Sequence, residues 1–170
     1  MLNHKKFNTY LKKIDLNNNE ILRQNFTDFY YQIKNKDLSF LGRIATKALI
    51  KDSFRLRKQY NKYVNNNSKL DSFKINKPIF VMGFPRSGTT YLHNLLINSL
   101  GRNGLKFWEV TEPFPYFNNK NIDEKFRKFK TFTLLSLFKL FVPKVQLMHP
   151  VKINSFEECW HLFKHSFSVY

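Results

Sequence analysis

The sequence has little cysteine, glycine, proline and acidic charge. The shortages of cysteine, glycine and proline each exclude a class of protein or a type of bond. Cys159 is the single cysteine of 170 residues, so no disulfide can form within the chain, and the reducing cytoplasm is the expected compartment. Five glycines and six prolines are too few for a collagen-like or elastic chain. No apolar run reaches the roughly 18 residues that a membrane-spanning helix needs. The basic first residues lack the apolar segment of a secretory signal, so no such signal is expected.

Positive charge and aromatic residues are in excess. The chain has 29 Lys and Arg against 12 Asp and Glu, a formal net charge of +17, and 19 of its residues are Phe. The abundance of Lys, Asn, Ile and Phe is typical of codon drift in an AT-rich genome, and a functional attraction for anionic ligands is the alternative. Most aromatic residues fall at core spacing rather than along a basic face, which disfavours a specific nucleic-acid partner.

The first part of the chain, residues 1–76, is predicted to be a helical segment. Apolar residues recur at helical spacing in Glu20–Lys34 and again from Phe40 to Val64, and the asparagine run after Val64 ends the pattern. In the second helix we expect Phe40, Ile44 and Ala48, with Leu41, Ala45 and Leu49 beside them, to face a core, and its lysines and arginines to face water.

The rest, residues 77–170, is predicted to be α/β, a parallel sheet flanked by helices. Pro78–Met82 is a continuous apolar run, as in a strand buried on both faces. A loop follows, and then a helix over Thr89–Leu100 that stops at Gly101. The leucines of this helix, Leu92, Leu95, Leu96 and Leu100, are expected on one packed side.

Three further elements are predicted after that helix. Trp108–Pro115 contains two prolines and is expected to be irregular, and Asp123–Val142 is expected to be a long helix. A last helical element runs towards Tyr170, and Ser155 with Glu158 three residues later forms the pattern of a capping box at its start.

The segment Gly83–Thr90, here called the anion loop, connects the predicted strand to the predicted helix. Two glycines let its backbone curl so that amide groups converge on one anion at the helix N-terminus. Ser87 and two threonines add hydroxyl donors, and Arg86 adds a planar cation suited to phosphate or sulfate. A nucleoside-triphosphate loop needs Lys where this chain has Thr89, so a P-loop NTPase or kinase is disfavoured but stays an alternative.

The segment from Pro78 to Leu96 resembles the 5′-phosphosulfate-binding segment of sulfotransferases that use PAPS (3′-phosphoadenosine 5′-phosphosulfate). The closest likeness is to the branch with the pattern P-R-S/T-G-T-T, which includes bacterial-type members and the tyrosylprotein sulfotransferases. Trp108-Glu109 and its following prolines, His149-Pro150 leading to Glu157-Glu158-Cys159, and Leu41-Gly42-Arg43 are similar as well.

The resemblance implies a site for each step of sulfuryl transfer. PAPS is the implied co-substrate, and no metal is required. The positions that match the donor site are Arg86, Ser87, Gly88, Thr89 and Thr90. Arg86 is expected to stabilise the leaving phosphate, and Glu109 is the matching candidate for the base, with His149 as the second candidate. The acceptor is a small molecule, glycan or protein that offers a hydroxyl or amine.

Simpler interpretations stand beside these roles. Thr89 or Thr90 can serve as a helix cap, and Glu109 can pair with a lysine. His93 is expected to be a packing or surface residue and Cys159 a buried small apolar residue. Glu157 and Glu158 can shape the acceptor site, although the capping box favours a local role for Glu158.

One departure from the family pattern affects the expected activity. The resemblance implies a 3′-phosphate site built from a later strand, helix and loop, and we find no such segment in this sequence. We therefore expect a truncated, N-terminal part of a sulfotransferase that binds PAPS weakly. The alternatives are an NTPase-like nucleotide-binding protein and a basic non-enzymatic protein that binds nucleic acid.

Overall fold

The computed structural model describes residues 19–84, 87–101, 103–141 and 151–168. These residues form two compact units, one made of 19–68 with 163–168 and the other of 69–162. No helix in the described ranges is both long enough and apolar enough to span a lipid bilayer.

The described residues of the first unit include two α-helices whose positions match the sequence pattern. Helix α1 spans Glu20–Lys34 and α2 spans Phe40–Asn65, so both predicted helices are confirmed. Asn19 caps α1 by accepting a hydrogen bond from the Leu22 amide at 2.9 Å, and Ser39 caps α2 in the same way. Apolar side chains of both helices form a buried core, together with one residue near the end of the described chain: Leu22, Phe26, Phe29, Tyr30, Ile50 and Phe167.

The apolar stripe predicted at the start of α2 is not part of this core. Phe40, Leu41 and Ile44 are exposed, whereas Ile50, and further along Leu56, are buried. The spacing identified a helix correctly but placed its buried face too early in the chain. The rings of Phe26, Phe54 and Phe167 pack against one another, and Phe54 lies beyond the first turns of α2. Helix α2 therefore contributes to this core through its middle turns.

The described residues of the second unit include three α-helices. Helix α3 spans Thr89–Leu100 and ends at Gly101 in the left-handed conformation, as predicted. Helix α4 spans Phe107–Thr111, so the prediction of irregular structure over Trp108–Pro115 is wrong for its first four residues. Helix α5 spans Lys120–Phe141, which confirms the predicted long helix and starts it three residues earlier. A 3-10 helix over Cys159–Ser166 replaces the last predicted helical element.

The predicted parallel sheet is absent from the described residues. Pro78–Met82 is not a buried strand: Phe80 keeps 79% and Met82 88% of its exposure. The leucines of α3 expected on a packed side are also largely exposed, and Ile97 is the buried residue of that helix. A strand is held by hydrogen bonds to a neighbouring strand, and no described segment supplies one. The apolar run therefore lacks the partner that its pattern presupposes.

Candidate functional site

The described part of the anion loop turns sharply into α3. Gly88 adopts φ +86°, a left-handed conformation that costs glycine little, and its carbonyl accepts the Leu92 amide at 3.0 Å. A Cβ on Gly83 would lie 2.6 Å from Ser87 Oγ and 2.8 Å from Thr89 Cγ2, so the chain curls tightly back on itself. Both glycines permit the curl of the backbone that the sequence predicted, Gly88 through its backbone angle and Gly83 through close approach.

The start of α3 is open to a ligand. No described side chain caps this helix, and no described residue accepts the first amides, those of Thr89 and Thr90. Gly83, Ser87 and Gly88 are exposed. Amides without acceptors at a helix N-terminus attract anions, because they carry partial positive charge and point away from the helix.

The two threonines of the loop differ in their contacts. Thr90 donates its hydroxyl hydrogen to Glu158 Oε1 at 2.7 Å, while its carbonyl accepts the side-chain amide of Asn94 at 2.8 Å. Thr89 has no such side-chain partner in the described residues, although its methyl group faces Gly83. The sequence put both hydroxyls in the donor site, but in this structure Glu158 holds that of Thr90.

Glu109 lies in the first turn of α4 and is half-buried. Its Oε2 accepts the Lys106 backbone amide at 2.7 Å, which closes the start of that helix. This is the side-chain-to-backbone half of a capping box, in which a Glu three residues in reaches back to the N-cap. The ion pair with a lysine ammonium group that the sequence suggested for Glu109 is not among the contacts of the described residues, and the partner of its carboxylate is a backbone amide.

A short antiparallel contact fixes the segment that precedes Glu109. Lys106 and Phe156 form an isolated β-bridge, the Phe107 amide donates to the Ser155 carbonyl at 2.9 Å, and the Glu157 amide donates to the Leu105 carbonyl at 2.9 Å. Residues 153–158, here called the bridge segment, therefore touch the start of α4 through their backbone and the start of α3 through Glu158. The bridge segment connects the anion loop to the candidate base.

The capping box predicted at Ser155 and Glu158 is wrong. Ser155 Oγ donates to the Lys152 carbonyl at 2.7 Å in a local turn, and Glu158 accepts from Thr90 instead. The 3-10 helix begins only at Cys159, beyond both residues. Cys159 is exposed, so the prediction that it is a buried small residue is also wrong. Glu158 accepts a hydrogen bond from the Thr90 hydroxyl, which is distant in sequence, whereas the backbone amide of Ser155 donates to the Lys152 carbonyl.

Two candidate site residues, Arg86 and His149, lie outside the described residues. His93 lies on α3, half-buried, and its Nδ1 is buried with no hydrogen-bond partner among the described residues. No group of three or more His, Cys, Asp or Glu side chains within the described ranges is placed to hold a metal ion.

Sequence reasoning missed a polar network next to the candidate base. Asp123, on α5, is 5% exposed, and its Oδ1 accepts the backbone amides of Tyr116 at 2.6 Å and Phe117 at 3.2 Å. Its Oδ2 lies 3.3 Å from the Arg127 guanidinium, and Arg127 Nε donates to the Glu112 carbonyl at 2.6 Å. Asp123 thus holds the turn between α4 and α5 in one conformation.

The other half of the network surrounds Glu112, whose side chain is also buried. Its Oε2 accepts the Tyr116 hydroxyl at 2.6 Å, and its Oε1 lies 3.1 Å from Lys130 Nζ. Lys130 also donates to the Tyr116 hydroxyl at 2.7 Å, which closes a triangle. The Arg127 guanidinium lies 4.6 Å from the ring of Trp108, a cation–π contact that joins α5 to α4 beside Glu109.

An exposed glycine turn that leads into a helix without a side-chain cap is an arrangement that anion-binding loops also have. Residues 78–170, more than half of the chain, match the family model described as Sulfotransferase family. The chain belongs to the Sulfotransferase family. The match contains the anion loop, Glu109 and the bridge segment, and it places the chain among transferases of sulfuryl groups. No curated protein and no solved structure matches the chain.

Proposed function

We propose that this protein transfers the sulfuryl group of PAPS to a hydroxyl or amine of a small molecule, glycan or protein. The observation that carries the proposal is the open turn at Gly88, which leads into an uncapped α3 in a chain of this family. The sulfonated 5′-phosphate is the part of PAPS that suits such a turn, because it is a compact anion that accepts several hydrogen bonds.

The donor site is proposed to consist of the anion loop. The amides of Gly88, Thr89 and Thr90 and the hydroxyls of Ser87 and Thr89 supply neutral donors. Arg86 supplies the charge: its guanidinium binds two phosphate oxygens at once and stabilises the negative charge that develops on the leaving phosphate. An NTPase or kinase would place a lysine where this chain has Thr89, and no observation here favours that alternative.

The proposed step is an in-line transfer. The bond between sulfur and the bridging phosphate oxygen breaks, a bond between sulfur and the acceptor oxygen or nitrogen forms, and PAP (adenosine 3′,5′-bisphosphate) leaves. Glu109 takes the acceptor's proton. Its Oε2 is held by the Lys106 amide, which fixes the direction of the carboxylate and leaves Oε1 for the acceptor. His149 is the second candidate for this role.

Arg86→Ala tests the donor site. We expect it to remove PAP binding measured by calorimetry without changing the helical circular dichroism signal. Arg86→Lys is the matched control, because it keeps the charge and loses the planar fork, and it should bind PAP weakly. Wild-type protein should respond little to ATP with magnesium. Tight binding of ATP, or unchanged PAP binding by Arg86→Ala, would contradict the proposal.

Glu109→Gln tests the base. Glutamine can still accept the Lys106 amide, so the helix start should survive while the proton acceptor is lost. We expect transfer from PAPS carrying radioactive sulfur to a panel of phenols, sugars and amines to fall by about 100-fold or more, with PAP affinity kept. Near-normal transfer would move the role to His149. Binding to arbitrary DNA that weakens steeply with salt would instead support a nucleic-acid-binding protein.

A further inference from the structure

Glu158 brings a carboxylate to the helix end at which the anion loop opens. Its Oε1 accepts the Thr90 hydroxyl at 2.7 Å, and its Oε2 has no hydrogen bond with any other described residue. Thr90 is the second residue of α3, within the turn where the helix amides attract negative charge. A side chain 68 positions further along the chain thus lies beside the loop's own donors.

A threonine hydroxyl has one hydrogen to donate. While Glu158 accepts it, Thr90 can offer an anion in the loop only its backbone amide. A phosphate oxygen that takes this hydroxyl must displace the carboxylate. The bond of Thr90 to Glu158 and a hydroxyl bond of Thr90 to a bound phosphate therefore exclude each other.

The negative charge of Glu158 also opposes the binding of an anion in the loop. A carboxylate at the first turn of α3 uses part of the positive potential that the helix end offers to an anion. It also repels a phosphate group a few ångströms away, in a half-buried setting where solvent screens the repulsion less than in bulk water. Loss of Glu158 should therefore strengthen anion binding, whereas ordinary damage to the structure weakens it.

We propose that Glu158 is a positioning residue of the donor site that acts through Thr90: it holds the Thr90 hydroxyl when the loop is empty and gives it up to the donor's phosphate. The proposal rests on the proposed function. Donor binding then frees Glu158 and with it the bridge segment, whose backbone holds the start of the helix that carries Glu109. Occupancy of the anion loop is coupled in this way to the acceptor side.

The experiment measures PAP affinity by calorimetry at one fixed salt concentration. Glu158→Ala should tighten binding by about tenfold, and Glu158→Gln, which keeps an acceptor oxygen but no charge, by less. Glu124→Gln is the matched control, since it removes one carboxylate from a half-exposed position on α5, outside the donor site, and so reports the effect of net charge. It should leave PAP affinity within about twofold.

Two variants of Thr90 test whether Glu158 affects PAP binding through the Thr90 hydroxyl. In a Thr90→Val background the Glu158→Ala change should tighten binding clearly less than in wild type, because no hydroxyl is left to release. In a Thr90→Ser background, which keeps the hydroxyl, the full tightening should return. Equal tightening in both backgrounds would mean that Glu158 does not act through Thr90, and it overturns the proposal.

The remaining outcomes separate this inference from the function on which it rests. PAP binding that Arg86→Ala abolishes and Glu158→Ala leaves unchanged or weakens overturns the role of Glu158 alone. No PAP binding by either the wild type or the Glu158→Ala variant overturns the donor site, and the role of Glu158 falls with it. Tightening by Glu158→Ala beyond that of Glu124→Gln supports both.

Discussion

The anion loop and the polar network differ in how much of each is visible in the sequence. The loop has a recognisable residue order, but its described residues make few contacts: Gly83, Ser87 and Gly88 are exposed. The network around Asp123 and Glu112 has no recognisable order, yet both carboxylates are 5% exposed and hydrogen-bonded. Residues proposed to bind a ligand can be recognised in the sequence as a motif. Residues that hydrogen-bond to one another can be recognised only in the folded structure.

We expect the polar network to contribute more to the stability of the fold than the anion loop does. Asp123→Ala removes the carboxylate partner of the Arg127 guanidinium and the acceptor of the Tyr116 and Phe117 amides. We expect a loss of about 3 kcal/mol in the free energy of unfolding, because a buried charge loses its partner. Urea unfolding followed by circular dichroism measures it. Asp123→Asn keeps an oxygen for both amides and should lose clearly less; equal losses would show that the amide contacts contribute little.

A second prediction uses two glycines at the two ends of α3. Gly88 has φ +86° and Gly101 φ +57°, and no atom lies within 4 Å of a Cβ built at either position in the described structure. Alanine at each should therefore cost a similar ~1–2 kcal/mol of backbone strain. Gly88→Ala should also weaken PAP binding by about tenfold or more, since it disturbs the turn that directs the loop amides. If Gly101→Ala weakens binding as much, the effect comes from the helix and not from the loop.

Sequence reasoning succeeded where structure depends on near neighbours. The bounds of α1 follow from the spacing of its apolar residues, and those of α3 from spacing and from the stop at Gly101. It failed where distant residues must meet. Pro78–Met82 has the composition of a buried strand, but a strand exists only beside another strand, and the described chain offers none.

The same limit explains the errors at the site. The spacing of Ser155 and Glu158 fits a capping box, but spacing does not reveal that the Thr90 hydroxyl lies within reach of Glu158. Their partnership had one weak signal, that both residues fall in segments that resemble the family. Asp123 was expected to be the first residue of a helix, and nothing local predicts that it would hold the backbone of Tyr116.

Glu109 belongs to both sides of the comparison, since it is a motif residue with a structural contact. Glu109→Ala removes the acceptor of the Lys106 amide and should lower the free energy of unfolding by about 1 kcal/mol. Glu109→Gln keeps an acceptor and should lower it by a few tenths at most. Urea unfolding of both variants checks this. A glutamine variant as unstable as the alanine variant would mean that the charge at the helix start matters more than the hydrogen bond.

The smallest effect is expected at a partly exposed ion pair on the same helix as Asp123. Lys128 Nζ lies 2.6 Å from Glu124 Oε1, and the two side chains keep 34% and 41% of their exposure. The hydrogen bond from Lys128, and then its charge, lower the pKa of Glu124. Because the folded-state pKa lies below the unfolded one, the pair stabilises the fold above the unfolded value and stops doing so as the pH falls through the folded one. Glu124→Gln should therefore lower Tm slightly at about pH 7 and not at about pH 2, and salt should reduce the difference. If Glu124→Gln lowered Tm at neutral pH as much as Asp123→Ala does, the contribution of a carboxylate on α5 to stability would not depend on its burial, and this prediction would be wrong.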